Sequence, residues 1–180
     1  MSISDDATEI AIRTHTIGHL FNSFDPSPFR EKDLDVGVEE FLTSWVRELP
    51  ADTAFKIVVH LPPEEAARPE AAGIREAFTH YFEYRAAVNE HERRELFRVG
   101  RRSLAIGLVV LIACLTASQI AAALIPNEVV AGIVEESLII VGWVANWRPI
   151  EIYLYDWLPI RRRINLYRRL AAAPVLVKAG

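Results

Sequence analysis

Glu135 and Glu136 are the only charged residues in an apolar run from Val129 to Trp147. A charge at the centre of a membrane helix costs about 2.5–3.5 kcal/mol on insertion scales, so acids in such a run are rare. Their chemistry is that of an ion or proton site, or of a polar clamp that holds helices or protomers together. Ser118 and Gln119 lie in the preceding apolar run, Leu104 to Ile125. Folding the chain back at Asn127 puts Gln119 and Glu135 each eight residues from the turn, and Ser118 and Glu136 each nine. An intramembrane polar layer of Glu135, Glu136, Ser118 and Gln119 is therefore expected. Adjacent helical residues lie about 100° apart, so the two carboxylates cannot both face one partner helix. The clamp reading is favoured over ion handling.

Other reactive side chains give weaker patterns. His15 and His19 are four apart, but in a segment that reads as strand then loop. His80 and His91 share one helical face at roughly 16 Å separation, too far for one metal. Asp25, Asp33 and Asp35 surround Pro26 and Pro28, which break any calcium-loop spacing, and capping or turn formation explains them better. Cys114 is the single cysteine and lies mid-run, a poor nucleophile in lipid. No glycine-rich phosphate loop, nucleophile elbow or zinc-protease motif is present. No catalytic residue, metal or cofactor is expected, and the chain reads as a non-enzyme.

The elements that must position these residues are set by length. Leu104–Ile125 is 22 residues without a charge, about 33 Å as a helix, against a hydrocarbon core of ~30 Å. Val129–Trp147 is 19 residues, and only Pro126-Asn127-Glu128 separates the two runs. The expected unit is a two-helix transmembrane hairpin, 104–125 and 129–147. Arg98, Arg101 and Arg102 precede it, and Arg148, Arg161, Arg162, Arg163, Arg168 and Arg169 follow, whereas the turn has no Lys or Arg. The positive-inside rule places both termini in the cytoplasm. Trp143, Trp147 and Trp157 mark the interface as an aromatic belt. Arg101, Arg102, Arg148, Arg161, Arg162 and Arg163 are the expected contacts to anionic headgroups.

Charge is unevenly distributed. Residues 1–70 carry 14 acids and 6 bases, or −8, and residues 71–180 carry 10 acids and 14 bases, or +4. The basic part flanks the membrane, so lipid rather than nucleic acid is its expected partner.

The first 69 residues read as a small cytoplasmic α/β cap. Residues 1–7 look frayed, Thr8–Thr16 alternates as a strand, and Asn22–Asp35 is a loop whose prolines forbid regular pairing. Asp35 caps a helix to about Leu49, with Val38, Phe41, Leu42, Trp45 and Leu49 as its expected buried stripe. Ala54–Leu61 is the clearest strand. From about Glu70 a helix of some 55 residues is expected, its charged part (70–103) a stalk with Val88, Leu96 and Val99 near a self-association seam. Residues 148–180 read as an interfacial and basic segment, and residues 174–178 as a possible last strand. A strand–helix–strand unit is parallel, and the tail or a second protomer must complete its sheet.

The stretch Gly142-Trp143-Val144-Ala145-Asn146-Trp147-Arg148-Pro149-Ile150-Glu151-Ile152-Tyr153-Leu154-Tyr155-Asp156-Trp157-Leu158-Pro159-Ile160 resembles a segment of an uncharacterised family of bacterial two-span membrane proteins. Phe24-Asp25-Pro26-Ser27-Pro28-Phe29 with Asp33-Leu34-Asp35 is similar to the same family's cytoplasmic part. The resemblance implies the two-span topology and a small α/β domain, and brings no activity. The expectation is an α+β protein of the inner membrane, multi-pass, with N- and C-termini cytoplasmic. It would serve as an oligomeric scaffold or accessory subunit, a homo-oligomer or part of a membrane complex. A small channel or transporter using Glu135 or Glu136, and a membrane-tethered ligand sensor, are the alternatives.

Overall fold

A computed structural model describes residues 8–25, 28, 29 and 32–180. The frayed end expected at 1–7, and Pro26 and Ser27 of the first loop, lie outside the described residues. The chain divides into two compact units, Met1–Asn89 with Arg162–Gly180, and Glu90–Arg161. Residues 70–89, expected to be stalk, thus belong with the sheet.

In the first unit β1 (Thr8–Arg13), β2 (Phe55–Leu61) and β3 (Val175–Ala179) form one sheet with β2 central. Both ladders are parallel, with Ile10 opposite Ile57 and Val59 opposite Val177. The tail therefore completes the sheet within the same chain. One face is hydrophobic, and it packs against residues of three helices: α1 (Val36–Glu48), the start of α3 (Ile74–Leu124) and the end of α6 (Trp157–Ala172). Leu42, Phe78, Phe82 and Leu170 are buried there, each worth about 1.5–3 kcal/mol. A short helix, α2 (Pro63–Ala66), follows β2, with proline at its first position, where no N–H partner is needed.

Val58 points to the opposite face yet is 0 % exposed. Its register neighbours are Ala11 and Leu176. The Glu9–Lys178 ion pair, 3.6 Å, runs diagonally across the strands over that position. A salt bridge and two alkyl stems thus stand in for a further layer.

Asp35 caps α1, its Oδ1 accepting from the Gly37 N–H at 2.8 Å, which contributes about 1 kcal/mol. The expected stripe needs correction. Leu42 and Val46 are buried, whereas Phe41 and Trp45 are 41 % and 46 % exposed. A 3.6-residue period admits a stripe on either side of Leu42, and the sheet takes the Val46 side. Phe41 and Trp45 pack edge to face on one another instead, ring centroids 6.3 Å apart.

The two ends of the segment expected to be an unpaired loop, around Asn22 and around Asp33–Asp35, are hydrogen-bonded to one another. Asn22 N–H donates to the Asp33 carbonyl and Asp35 N–H to the Leu20 carbonyl, at 2.8 and 2.9 Å. Phe21 and Leu34 form an antiparallel bridge. The prolines lie between these ends, so they do not oppose the pairing.

The second unit contains the rest of α3, then α4 (Glu128–Ala145), α5 (Trp147–Glu151), a π-helical turn (Ile152–Asp156) and the first residues of α6. The chain from Trp147 to Ala172 is helical throughout, where an interfacial segment and a separate short basic helix were expected. Pro159 explains the widened turn, because its ring clashes with the carbonyl four residues back. Among the described residues one helix, Pro69–Leu124, is long and apolar enough to cross a membrane, its most apolar 18-residue window having a mean hydropathy of 2.3. The run 129–147 is not a single helix. Asn127 caps α4 so that Glu128 joins it, and the helix ends at Ala145. Its 18 residues hold three glutamates.

Candidate functional site

The second unit is organised by a seam of small residues between α3 and α4. A Cβ added to Gly107 would lie 2.7 Å from Asn146 Oδ1 and 3.0 Å from the Ala145 carbonyl. One added to Gly142 would lie 2.8 Å from Leu111 Cδ1. At Gly107 the facing carbonyl is backbone and leaves little room for a methyl, whereas at Gly142 the close atom is the movable end of a leucine; both glycines let the backbones approach closely. Gly107, Cys114 and Ser118 on α3 are buried, as are Ala131 and Gly142 on α4. The large side chains point outward, among them Ile106, Val109, Ile112, Ile133, Val144 and Trp143. This arrangement is the inverse of a soluble helical pair.

Gly107 facing Asn146 and Leu111 facing Gly142 define an antiparallel register. Ser118 is 1 % exposed, Glu135 is half-buried, and Gln119 and Glu136 face outward. No hydrogen bond joins the four side chains.

The polar tie across this seam is Asn146, a residue that sequence reasoning passed over. Its Nδ2 donates to the Gly107 carbonyl at 3.1 Å and to the Gly142 carbonyl at 2.9 Å. Buried amides carry a full desolvation cost unless paired, and this one is paired twice. The available signal was a lone Asn four residues after a Gly at the end of an apolar run.

The expected interface residues are distributed unequally. Arg101, Arg102, Arg161, Arg162 and Arg163 are exposed, as are Trp143 and Trp147. Arg148 is engaged within the chain, with Glu151 at 3.3 Å and Asp156 at 3.1 Å. Trp157 is half-buried. Its Nε1 donates to the Tyr153 carbonyl, and the Arg161 guanidinium lies 5.6 Å from its ring centroid. Phe97 packs on Tyr153 and Trp157 to complete an aromatic cluster around the π-helical turn.

The first unit contains a second polar centre that the sequence did not announce. Glu39 on α1 accepts from Tyr81 Oη at 2.6 Å, Tyr167 Oη at 2.7 Å, and Arg85 Nη2 at 2.9 Å. The three partners come from α3 and α6, so one carboxylate ties three helices. Burial opposes ionisation of Glu39, but the two phenol hydrogen bonds and the Arg85 guanidinium outweigh it and hold the carboxyl below its ordinary range. Burial, together with the hydrogen bond to Glu39, pushes the Tyr81 and Tyr167 phenols up. The group borders a cleft of about 410 Å³ that also meets Asn22, Asp33, Glu40 and Thr43. With its acceptor positions occupied by phenol and guanidinium donors, Glu39 is arranged as a clamp and not as a general base.

His15 and His19 are exposed, and among the described residues no three His, Cys, Asp or Glu side chains are placed to hold a metal ion together. No family model, curated protein or solved structure matches this chain.

Proposed function

We propose that the protein is a non-enzymatic, oligomeric scaffold or accessory subunit of the bacterial inner membrane. In this reading α3 and α4 cross the bilayer as a two-span hairpin, with the turn at Pro126–Asn127 outside and both termini cytoplasmic. The observation that carries it is the apolar half of α3. Its 18-residue window reaches a mean hydropathy of 2.3 while only 11 % of it is buried. A soluble core helix of that hydropathy is covered, whereas a lipid-facing one is not.

The outward large and inward small residues of the seam support the same solvent. So do the exposed arginines that flank the apolar runs in sequence, Arg101 and Arg102 before the first and Arg161, Arg162 and Arg163 after the second, which would meet anionic headgroups. Glu136 supports the oligomer. It lies on the outer face of α4 next to apolar neighbours, where a carboxylate against hydrocarbon is costly. Covering that face with another copy or a membrane partner removes the penalty.

Topology mapping in a Cys114→Ser background tests the reading. A cysteine at Asn127 should react with membrane-impermeant maleimide in intact cells, and one at Val177 only after permeabilisation. Native mass spectrometry in mild detergent should report multiples of the chain. Release of the protein from membranes by alkaline carbonate, with Asn127→Cys protected, would overturn the topology. A purely monomeric spectrum would overturn the oligomer.

A further inference from the structure

The seven residues Thr8-Glu9-Ile10-Ala11-Ile12-Arg13-Thr14 are mirrored about Ala11. Isoleucines flank the centre and threonines close the ends, while the mirrored pair Glu9 and Arg13 carries opposite charges. Residues 8–13 form β1, an edge strand whose one strand partner among the described residues is β2. The hydrogen bonds of β1 show which of its backbone groups are free. Thr8 N–H donates to the Ala54 carbonyl and Thr14 N–H to the His60 carbonyl. Backbone groups alternate sides along a strand, so those of residues 8, 10, 12 and 14 face β2, and those of Glu9, Ala11 and Arg13 face outward.

Edge strands are commonly blunted against further pairing by proline, bulges or charges. β1 contains no proline, and it pairs with β2 without a bulge, residue for residue from Thr8–Phe55 to Arg13–His60. Its two charges sit at mirrored positions, so they oppose one kind of pairing and favour another. Glu9 is met by Lys56 and Lys178 at 3.6 Å, both on Oε2, which leaves Oε1 open. Arg13 is exposed and has no acidic partner among the described residues.

We propose that β1 pairs antiparallel with β1 of a second copy, centred on Ala11, joining two three-stranded sheets into one of six strands. This names one surface of the oligomer proposed above and rests on that reading. A two-fold interface requires a self-complementary surface, and the mirrored strand is one. In this register Ala11 opposes the partner's Ala11, Glu9 the partner's Arg13, Ile10 the partner's Ile12 and Thr8 the partner's Thr14. Opposite charges, β-branched pairs and threonine pairs are favourable when directly opposed. The outward backbone groups of Glu9, Ala11 and Arg13 become hydrogen-bonded pairs, about six bonds in all. Parallel in-register pairing would instead set Glu9 beside the partner's Glu9 and Arg13 beside the partner's Arg13, which is unfavourable. A slip of one residue would carry the helix-covered face of one copy into the open face of the other. The charges thus select the antiparallel geometry centred on Ala11.

The test is crosslinking of the full chain in mild detergent with a short bifunctional maleimide, in a Cys114→Ser background. Ala11→Cys should crosslink to a dimer at least tenfold faster than Arg47→Cys, an exposed position on α1. Adding Glu9→Arg or Arg13→Glu should each slow the Ala11→Cys crosslink at least tenfold. Mixing those two variants should restore it, because the mixed pair again opposes unlike charges. Should either charge variant fail to fold, a mixture of Glu9→Cys and Arg13→Cys carries the test, since it should crosslink where neither variant does alone. No preferential crosslink at Ala11 overturns the pairing, as does slowed crosslinking that the mixture of folded variants does not restore. Multiples of the chain in native mass spectrometry without the Ala11 crosslink overturn the edge pairing and leave the oligomer standing, whereas a purely monomeric spectrum overturns both.

Discussion

Asn146 and Gly107 fit one another at contact distance. The asparagine donates to the glycine carbonyl at 3.1 Å, and a methyl group at 107 would come within 2.7 Å of the same side chain's Oδ1. The helix crossing and its polar tie are therefore one feature, and each part constrains the other.

Gly107→Ala should loosen this crossing. The Ala145 carbonyl behind Asn146 is backbone and cannot rotate away, so about 1–3 kcal/mol of overpacking cost is expected. Gly132→Ala provides the contrast, since nothing lies within 4 Å of the added methyl. It should be neutral or raise stability by up to ~1 kcal/mol through helix propensity. Thermal unfolding of both variants in detergent separates packing from propensity.

Asn146→Leu removes two hydrogen bonds and should cost about 0.6–2 kcal/mol, the range found for polar ties between membrane helices. Asn146→Asp is nearly isosteric but replaces the donor with a carboxylate facing two carbonyl oxygens. It should therefore be worse than the leucine variant. Finding the aspartate variant as stable as the wild type would mean that Asn146 does not act as a donor.

Glu39 gives the first unit an acid-sensitive stability. Its carboxyl is held below the ordinary range in the folded state, so the unfolded chain binds more protons there and stability rises with pH through that window. The contribution is complete above the unfolded carboxyl value of about 4.3 and is lost as pH falls through the folded value. Glu39→Gln should flatten this acid limb. At pH 7 it should cost roughly 1.5–3 kcal/mol, because two phenols and a part-exposed guanidinium lose a charged acceptor. Unfolding monitored by tyrosine fluorescence between pH 3 and pH 7 makes the comparison.

Deleting residues 173–180 should make the first unit protease-sensitive. β3 supplies the parallel partner of Ile57–Leu61, and Ile57 N–H also donates to the Pro174 carbonyl at 2.8 Å. Two remaining strands form a marginal sheet in water. Unchanged limited proteolysis would mean that another element, or another copy, covers the β2 edge.

Much of the fold is legible in sequence because the signals are local. Asp35 announces α1, the alternation of Phe55, Ile57, Val59 and Leu61 announces β2, and the chargeless run to Leu124 announces the apolar part of α3. What escaped depends on partners distant in sequence. Whether Phe41 or Val46 faces inward is decided by where the sheet lies, not by the helix period. Glu39 reads as an ordinary surface acid until Tyr81 and Tyr167 are brought to it. Asn146 was hidden by company, a polar residue between tryptophans at the end of an apolar run.

The placement of β3 also has a consequence for how the protein is made. β2 is central, but everything from Pro62 to Pro174 is synthesised before its second neighbour exists. At roughly 5–20 residues per second, the β2 edge waits on the order of ten seconds while the apolar helices emerge. Sheet closure is thus a late event in synthesis, and until Val175–Ala179 is made the β2 edge stays open to proteases and chaperones.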